Sequence, residues 1–306
     1  MTTERPPSIH LAVLTIFIAL ALLAGPRLSA QGGVYSDGMF ELGDGAAPPG
    51  FPGMGNILLD DGQVGPDWED LFDADGALRD DDANGTPDYL EIFGGRWAVF
   101  SADDVSLGTG FESTALTVDG KIYNGTVASD HDIGNAYTYL TTDSLGNVVV
   151  YAGVERLGGG DSQLEIELNQ DHFRLGHGGF GVGAPWEVLG TRIAGDVRVT
   201  LVFAAGALAS VALEEWDGNG WLSIDTLTGE SCNLGETFCA VCNAAEVDGG
   251  PWQNHDTTGD PEQIGANKFV EVGVNVGALL AGPPDFTTVW LRTPEDAALG
   301  HFAEGS

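Results

Sequence analysis

An all-β fold, an antiparallel β-sandwich of the jelly-roll or concanavalin-like kind, is predicted by three features of this sequence. From residue 95 onward, short runs of β-branched and aromatic residues recur between Gly-containing turn dipeptides. Helical periodicity is scarce, and only Asp67–Phe72 and Val274–Leu280 offer a turn or two. The 306 residues include 46 glycines, enough to punctuate many short strands. Such a pattern folds as layered antiparallel sheets, and a chain of this length can bury one large β core.

Taken in order, residues 1–30 read as a secretory signal peptide. Arg5 and His10 precede the apolar run Leu11–Ala24, Gly25-Pro26 breaks it, and Leu28-Ser29-Ala30 ends in a small residue suited to cleavage. That run falls short of the roughly 20 residues that span a bilayer. The expected location is therefore secreted, extracellular or at the cell surface, with no stable membrane span after cleavage. Residues 31–66 form a Gly/Pro-rich arm, including Pro48-Pro49-Gly50 and Pro52-Gly53.

Residues 67–94 form an acidic segment with the sharpest chemical signal. The twelve residues Asp80–Glu91 place Asp80, Asp82 and Asn84 at alternate positions, Gly85 sixth and Glu91 last. This spacing matches a calcium loop without a mismatch. Calcium takes six to eight oxygens, so Asp80, Asp82, Asn84 and Glu91 are expected to ligate through side chains. Thr86 would add its carbonyl, and Asp88 would bind directly or through water. Pro87 and the lack of flanking helical patterns favour a single structural loop over a paired EF-hand. Asp73 and Asp75 are candidates for a neighbouring site. The bland alternative is an acidic solvated turn.

Residues 95–306 form the sandwich domain. Thr114–Val118 and Lys121–Tyr123 flank Asp119-Gly120, Asn147–Tyr151 follows Leu145-Gly146, and Leu213–Trp216 and Trp221–Ile224 flank Asp217-Gly-Asn-Gly220. Further strands are expected at Gln163–Leu168, Val197–Phe203, Ser210–Leu213, Phe269–Gly273 and Thr287–Arg292. Gln163–Leu168 alternates, with Leu164, Ile166 and Leu168 on one face and Glu165 and Glu167 on a solvated one. Val197–Phe203 alternates less strictly, as a strand buried on both faces would.

Several segments occur in a fixed order: Ser129–Tyr137, Tyr151–Arg156, Gly160–Ser162, Glu167–Gln170, Gly195-Asp196, Trp216–Gly218, Gly249–Trp252 and Lys268–Asn275. This series resembles a module of bacterial exported and cell-surface proteins, over roughly residues 95–295. The resemblance implies a β-sandwich with an adhesin-like or structural role, cell-surface or matrix polymers or glycans as partners, and no established enzymatic activity.

The net charge of −35 makes nucleic acid and anionic lipid poor partners. It fits either divalent-cation binding or a saline medium that screens the charge. Cys232, Cys239 and Cys242 predict one local disulfide and one spare thiol, with the pairing open. Cys239-Ala-Val-Cys242 lacks both the βαβ context of a redox motif and a second ligand pair for zinc. Glu165 and Glu167 lie about 7 Å apart on one strand face and raise a glycosidase reading, though Gln170 stands where a further acid is expected. His131-Asp132, His172 and His177 are read as ordinary loop residues. Trp216, Trp221, Trp252 and Trp290 pack the sandwich or stack on sugar, and Trp216 and Trp221 are expected to pair across their hairpin. The sequon Asn124-Gly-Thr126 marks a surface loop. The leading function is a calcium-stabilised, non-catalytic surface module. The alternatives are a carbohydrate-binding module and, third, a sandwich-fold glycoside hydrolase.

Overall fold

The computed structural model describes residues 67–91, 96–101, 115–118, 121–124, 133–143, 145–172, 174–177, 186–232, 236–250, 263–280, 286–292 and 302–304. All belong to one of the two compact units of the chain, Gly32–Ser306. The signal-peptide and arm segments, His131-Asp132 and Trp252 lie outside the described residues.

Two antiparallel sheets pack face to face as a β-sandwich. One has the order β1 (Trp97–Ser101), β4 (Ile133–Thr142), β5 (Val148–Arg156), β15 (Phe269–Asn275) and β12 (Phe238–Cys242). The other has the order β11 (Trp221–Thr228), β10 (Ala207–Trp216), β9 (Val197–Ala204), β6 (Ser162–Asn169), β16 (Thr288–Arg292) and β17 (Phe302–Glu304). A four-stranded sheet joins β2 (Ala115–Val118), β3 (Lys121–Asn124), β8 (Trp186–Leu189) and β7 (Arg174–His177), and β13 (Val247–Asp248) pairs β14 (Gln263–Ile264).

The period of two along each strand decides what meets in the middle. Val148, Val150, Ala152 and Val154 of β5 and Val270, Val272 and Val274 of β15 face Leu164, Ile166 and Leu168 of β6 and Val197, Val199, Leu201 and Phe203 of β9. Each such side chain contributes about 1.5–3 kcal/mol by leaving water. Arg156 closes one end of this core, donating to Gly160 O and Asn267 O with its guanidinium stacked 3.6 Å from the Phe203 ring centroid.

The expected doubly buried strand is displaced. β9 alternates between buried and half-buried positions, so its outward side is partly wet. β5 is buried on both faces along its whole length. Its outward side chains belong to a second core, built from Trp68, Leu71 and Phe72 against Tyr137, Tyr139, Val149, Tyr151 and Phe269. A one-turn helix, α1 (Trp68–Leu71), supplies the first two, and a capping box between Asp67 and Asp70 fixes its start. The other expected helical stretch forms α3 (Val276–Leu279), capped by Asn275. A third turn, α2 (Asp88–Glu91), had no helical signal in the sequence.

The turns follow their chemistry. Ala205 and Gly206 both adopt positive φ between β9 and β10, as a two-residue primed turn demands. A Cβ at Gly206 would stand 2.6 Å from Gly159 O, so close approach and backbone conformation both call for glycine there. At the β10–β11 tip, Asp217 accepts from Asn219 N and Gly220 N, and Trp216 pairs with Trp221 in register, as expected.

Candidate functional site

The acidic loop folds around its own side chains. Asp80 accepts from Asn84 N at 3.0 Å and Gly85 N at 2.7 Å, and Asp82 accepts from Asn84 N at 3.1 Å. The Asn84 amide nitrogen bridges Asp82 Oδ2 (3.0 Å) and Glu91 Oε2 (2.9 Å), while its oxygen accepts from Thr86 N at 2.7 Å. Gly85 makes the sharp turn at φ +90°. Asp80, Asp82, Asn84 and Glu91 are thus brought together. Of the remaining expected ligands, Asp88 is buried and turns its carboxylate to Asp81 N, and Thr86 is held through its backbone N–H.

The donor set is all oxygen, hard and anionic, which fits calcium and magnesium better than a softer metal. Among the described residues, no three His, Cys, Asp or Glu side chains already stand at metal-ligating spacing. The Asn84 amide donor sits between two of the carboxylates, so the loop would have to exchange these internal hydrogen bonds for an ion. Asp73 is not drawn in. Its carboxylate accepts from Asp75 N and Ala77 N within its own turn.

A short ladder ties this loop to the sandwich. Asp88 N donates to Arg79 O at 2.8 Å, Arg79 N donates to Leu71 O at 3.0 Å, and Phe72 bridges Leu78. Immediately before this ladder, Trp68 is 0% exposed. Its Nε1 donates to Glu271 Oε1 at 2.8 Å, and its ring lies 5.3 Å from that of Tyr137. A Cβ at Gly153 would come within 3.1 Å of the indole, so the absent side chain makes the slot in which Trp68 lies. Nearby, Glu155 accepts from Asn135 Nδ2 and from the Tyr137 hydroxyl. Sequence reasoning passed over these two buried carboxylates. The available signal was a charge set against an apolar run, with Glu155 and Arg156 ending Val148–Val154 and Glu271 inside Phe269-Val-Glu271-Val.

Glu165 and Glu167 do share a face, but the face is not solvated: they are 4% and 0% exposed. Arg192 grips Glu167 through Nε at 2.6 Å and Nη2 at 2.9 Å, and Arg292 grips Glu165 through Nε at 2.6 Å. Arg198 bridges Glu165 and Glu214, at 3.2 and 2.7 Å. Burial disfavours the Arg192 cation, yet the hydrogen bond and charge of Glu167 outweigh it and hold its pKa above the ordinary arginine value. Every oxygen of the two glutamates already accepts from an arginine. This arrangement suits a neutral, cross-linked layer better than the acid and base of a glycosidase.

Cys232 and Cys239 form the disulfide, and Cys242 is free and buried. Cys239 and Cys242 lie an odd number of residues apart on β12. Cys239 therefore joins the outer aromatic core and Cys242 the inner aliphatic one. The pair cannot act as a redox couple without unravelling the strand. Burial, with Glu230 nearby, pushes the Cys242 thiol up to about 12, which leaves it protonated and inert.

Among the tryptophans, Trp216 and Trp221 meet edge to face with centroids 5.4 Å apart, and Arg192 and Arg198 lie against them. Trp290 is buried beneath Arg292. His172 is exposed in a loop, as expected, whereas the His177 backbone belongs to β7 and not to a loop. Compared with known proteins, the chain matches no family model, no curated protein and no solved structure.

Proposed function

We propose that the chain is an exported, calcium-stabilised surface module with an adhesin-like or structural role and no reaction of its own. One observation carries the reading. Asp80, Asp82, Asn84 and Glu91 converge in a loop laddered through Arg79 to Leu71, next to the Trp68 anchor. An ion there would offset repulsion among carboxylates and clip the anchor segment onto the sheet by its binding free energy. The signal-peptide pattern and the Cys232–Cys239 disulfide support an oxidising, extracytoplasmic setting. The net charge of −35 favours a divalent cation over an anionic partner.

Calcium titration of the full chain by isothermal calorimetry tests this. A saturable heat is expected, and Asp80→Asn combined with Glu91→Gln should weaken it at least tenfold. Absence of heat, or equal binding by the double variant, removes calcium from the account.

A further inference from the structure

We propose that the tip of the β10–β11 hairpin, together with the loop before β9, binds a neutral polysaccharide. The inference goes beyond the calcium reading and does not depend on it.

Two backbone hydrogen bonds assemble the patch, Gly195 N to Trp216 O at 2.9 Å and Trp216 N to Asp196 O at 2.8 Å. Asp196 N also donates to Ile193 O at 2.9 Å, so Ile193 begins the turn that these bonds join to Trp216. Both tryptophans are only partly buried, and Ile193 is 44% exposed. Exposed apolar and aromatic groups gathered at one end of a sheet, in a chain this charged, mark a contact surface.

Most of the charge of the patch is paired internally. Arg192 is committed to Glu167 through Nε and Nη2, and Arg198 to Glu165 and Glu214. Asp217 turns its carboxylate back onto Asn219 N and Gly220 N, and these hydrogen bonds hold it below the usual carboxylate range. Beside the indole surface stand an amide, a guanidinium N–H and the Asp217 carboxylate. Asn219 is exposed at the tip, and the Arg192 side chain, 28% exposed, spends Nε and Nη2 on Glu167 and makes no hydrogen bond through Nη1 among the described residues. A pyranose matches this set, with apolar C–H faces for the indoles and hydroxyls for an amide and a guanidinium N–H. Uronate or sulfated polymers do not, because the net charge of −35 repels them.

Affinity electrophoresis of the full chain in gels containing barley β-glucan, galactomannan or polygalacturonate tests the assignment, once with calcium and once with chelator. Retardation is expected in a neutral gel and not in polygalacturonate, with at least a tenfold loss of affinity in Trp216→Ala. Asn219→Ala, at an exposed position that leaves the fold intact, should lose about threefold to tenfold. Unretarded migration in both neutral gels, retardation by polygalacturonate alone, or retardation unchanged in both variants overturns it. Retardation equal with and without calcium, alongside a calorimetric calcium heat, keeps this site separate from the loop.

Discussion

Trp68 is the residue on which the outer core turns. Trp68→Phe keeps a ring in the Gly153 slot but removes a donor from the buried Glu271 carboxylate, a loss of about 1–3 kcal/mol. Trp68→Ala also empties the slot and should cost about 3–5 kcal/mol. Urea denaturation of the two variants checks the order, and equal midpoints for wild type and Trp68→Ala contradict it. A second residue carries a pH signature. Burial raises the pKa of Asp143, but Asn147, through its side chain and backbone, and Asn275 outweigh it, so the folded value lies below 3.8. A depressed carboxylate stabilises above its unfolded pKa and loses that contribution as pH falls through the folded one. Asp143→Asn should therefore destabilise most at neutral pH, with a difference from wild type that shrinks below about pH 4. A difference that grows in acid would falsify the assignment. Neither role was legible in the sequence, because a tryptophan before a turn and an aspartate after a strand say nothing of the strand they meet.

At the scale of elements, periodicity reads faces but not their cover. Leu164, Ile166 and Leu168 point inward as their alternation demands, yet nothing in Leu164–Leu168 shows that Glu165 and Glu167 lie beneath three arginines drawn from β9, β16 and a loop. The same limit misplaced the doubly buried strand. Val148–Arg156 contains tyrosine, glutamate and arginine, but α1 covers its outer side, while the apolar Val197–Phe203 is left half wet. Strand β12 carries the cysteines on both faces and yields a prediction of its own. The disulfide closes a loop of sequence separation 7, and removing it should cost roughly 2–3 kcal/mol on the chain-entropy model. Native protein should show no thiol reactive toward a disulfide reagent such as Ellman's, and one thiol after unfolding. A thiol titrating fully in the native state contradicts the placement of Cys242 in the core.

Over the whole molecule, the sandwich itself was readable, because alternation and turn chemistry agree along most of the chain. The Ala115–Val118 and Lys121–Asn124 hairpin and the β10–β11 hairpin fall where their turn dipeptides put them. The sheet edges are managed as an all-β chain requires. Ser231 bridges Ala240 on the outer side of β12, and a bulge between Leu213 and Glu214 interrupts the pairing of the edge strand β11, where Asp225 opposes Leu213. The acidic loop was legible as a ligand spacing, but its ladder to Leu71 carries no side-chain signature, and the Trp68 anchor meets Glu271 at a sequence separation of 203. The account therefore turns on the proposal that an ion at Asp80–Glu91 holds the anchor segment on the sandwich. Scanning calorimetry of wild type and Glu91→Gln, each in saturating calcium and in excess chelator, measures this directly. With calcium at 100 times its dissociation constant, binding adds about 2.7 kcal/mol, so wild type should melt several degrees higher in calcium and Glu91→Gln should gain clearly less. A wild-type melting temperature identical in calcium and chelator contradicts the account.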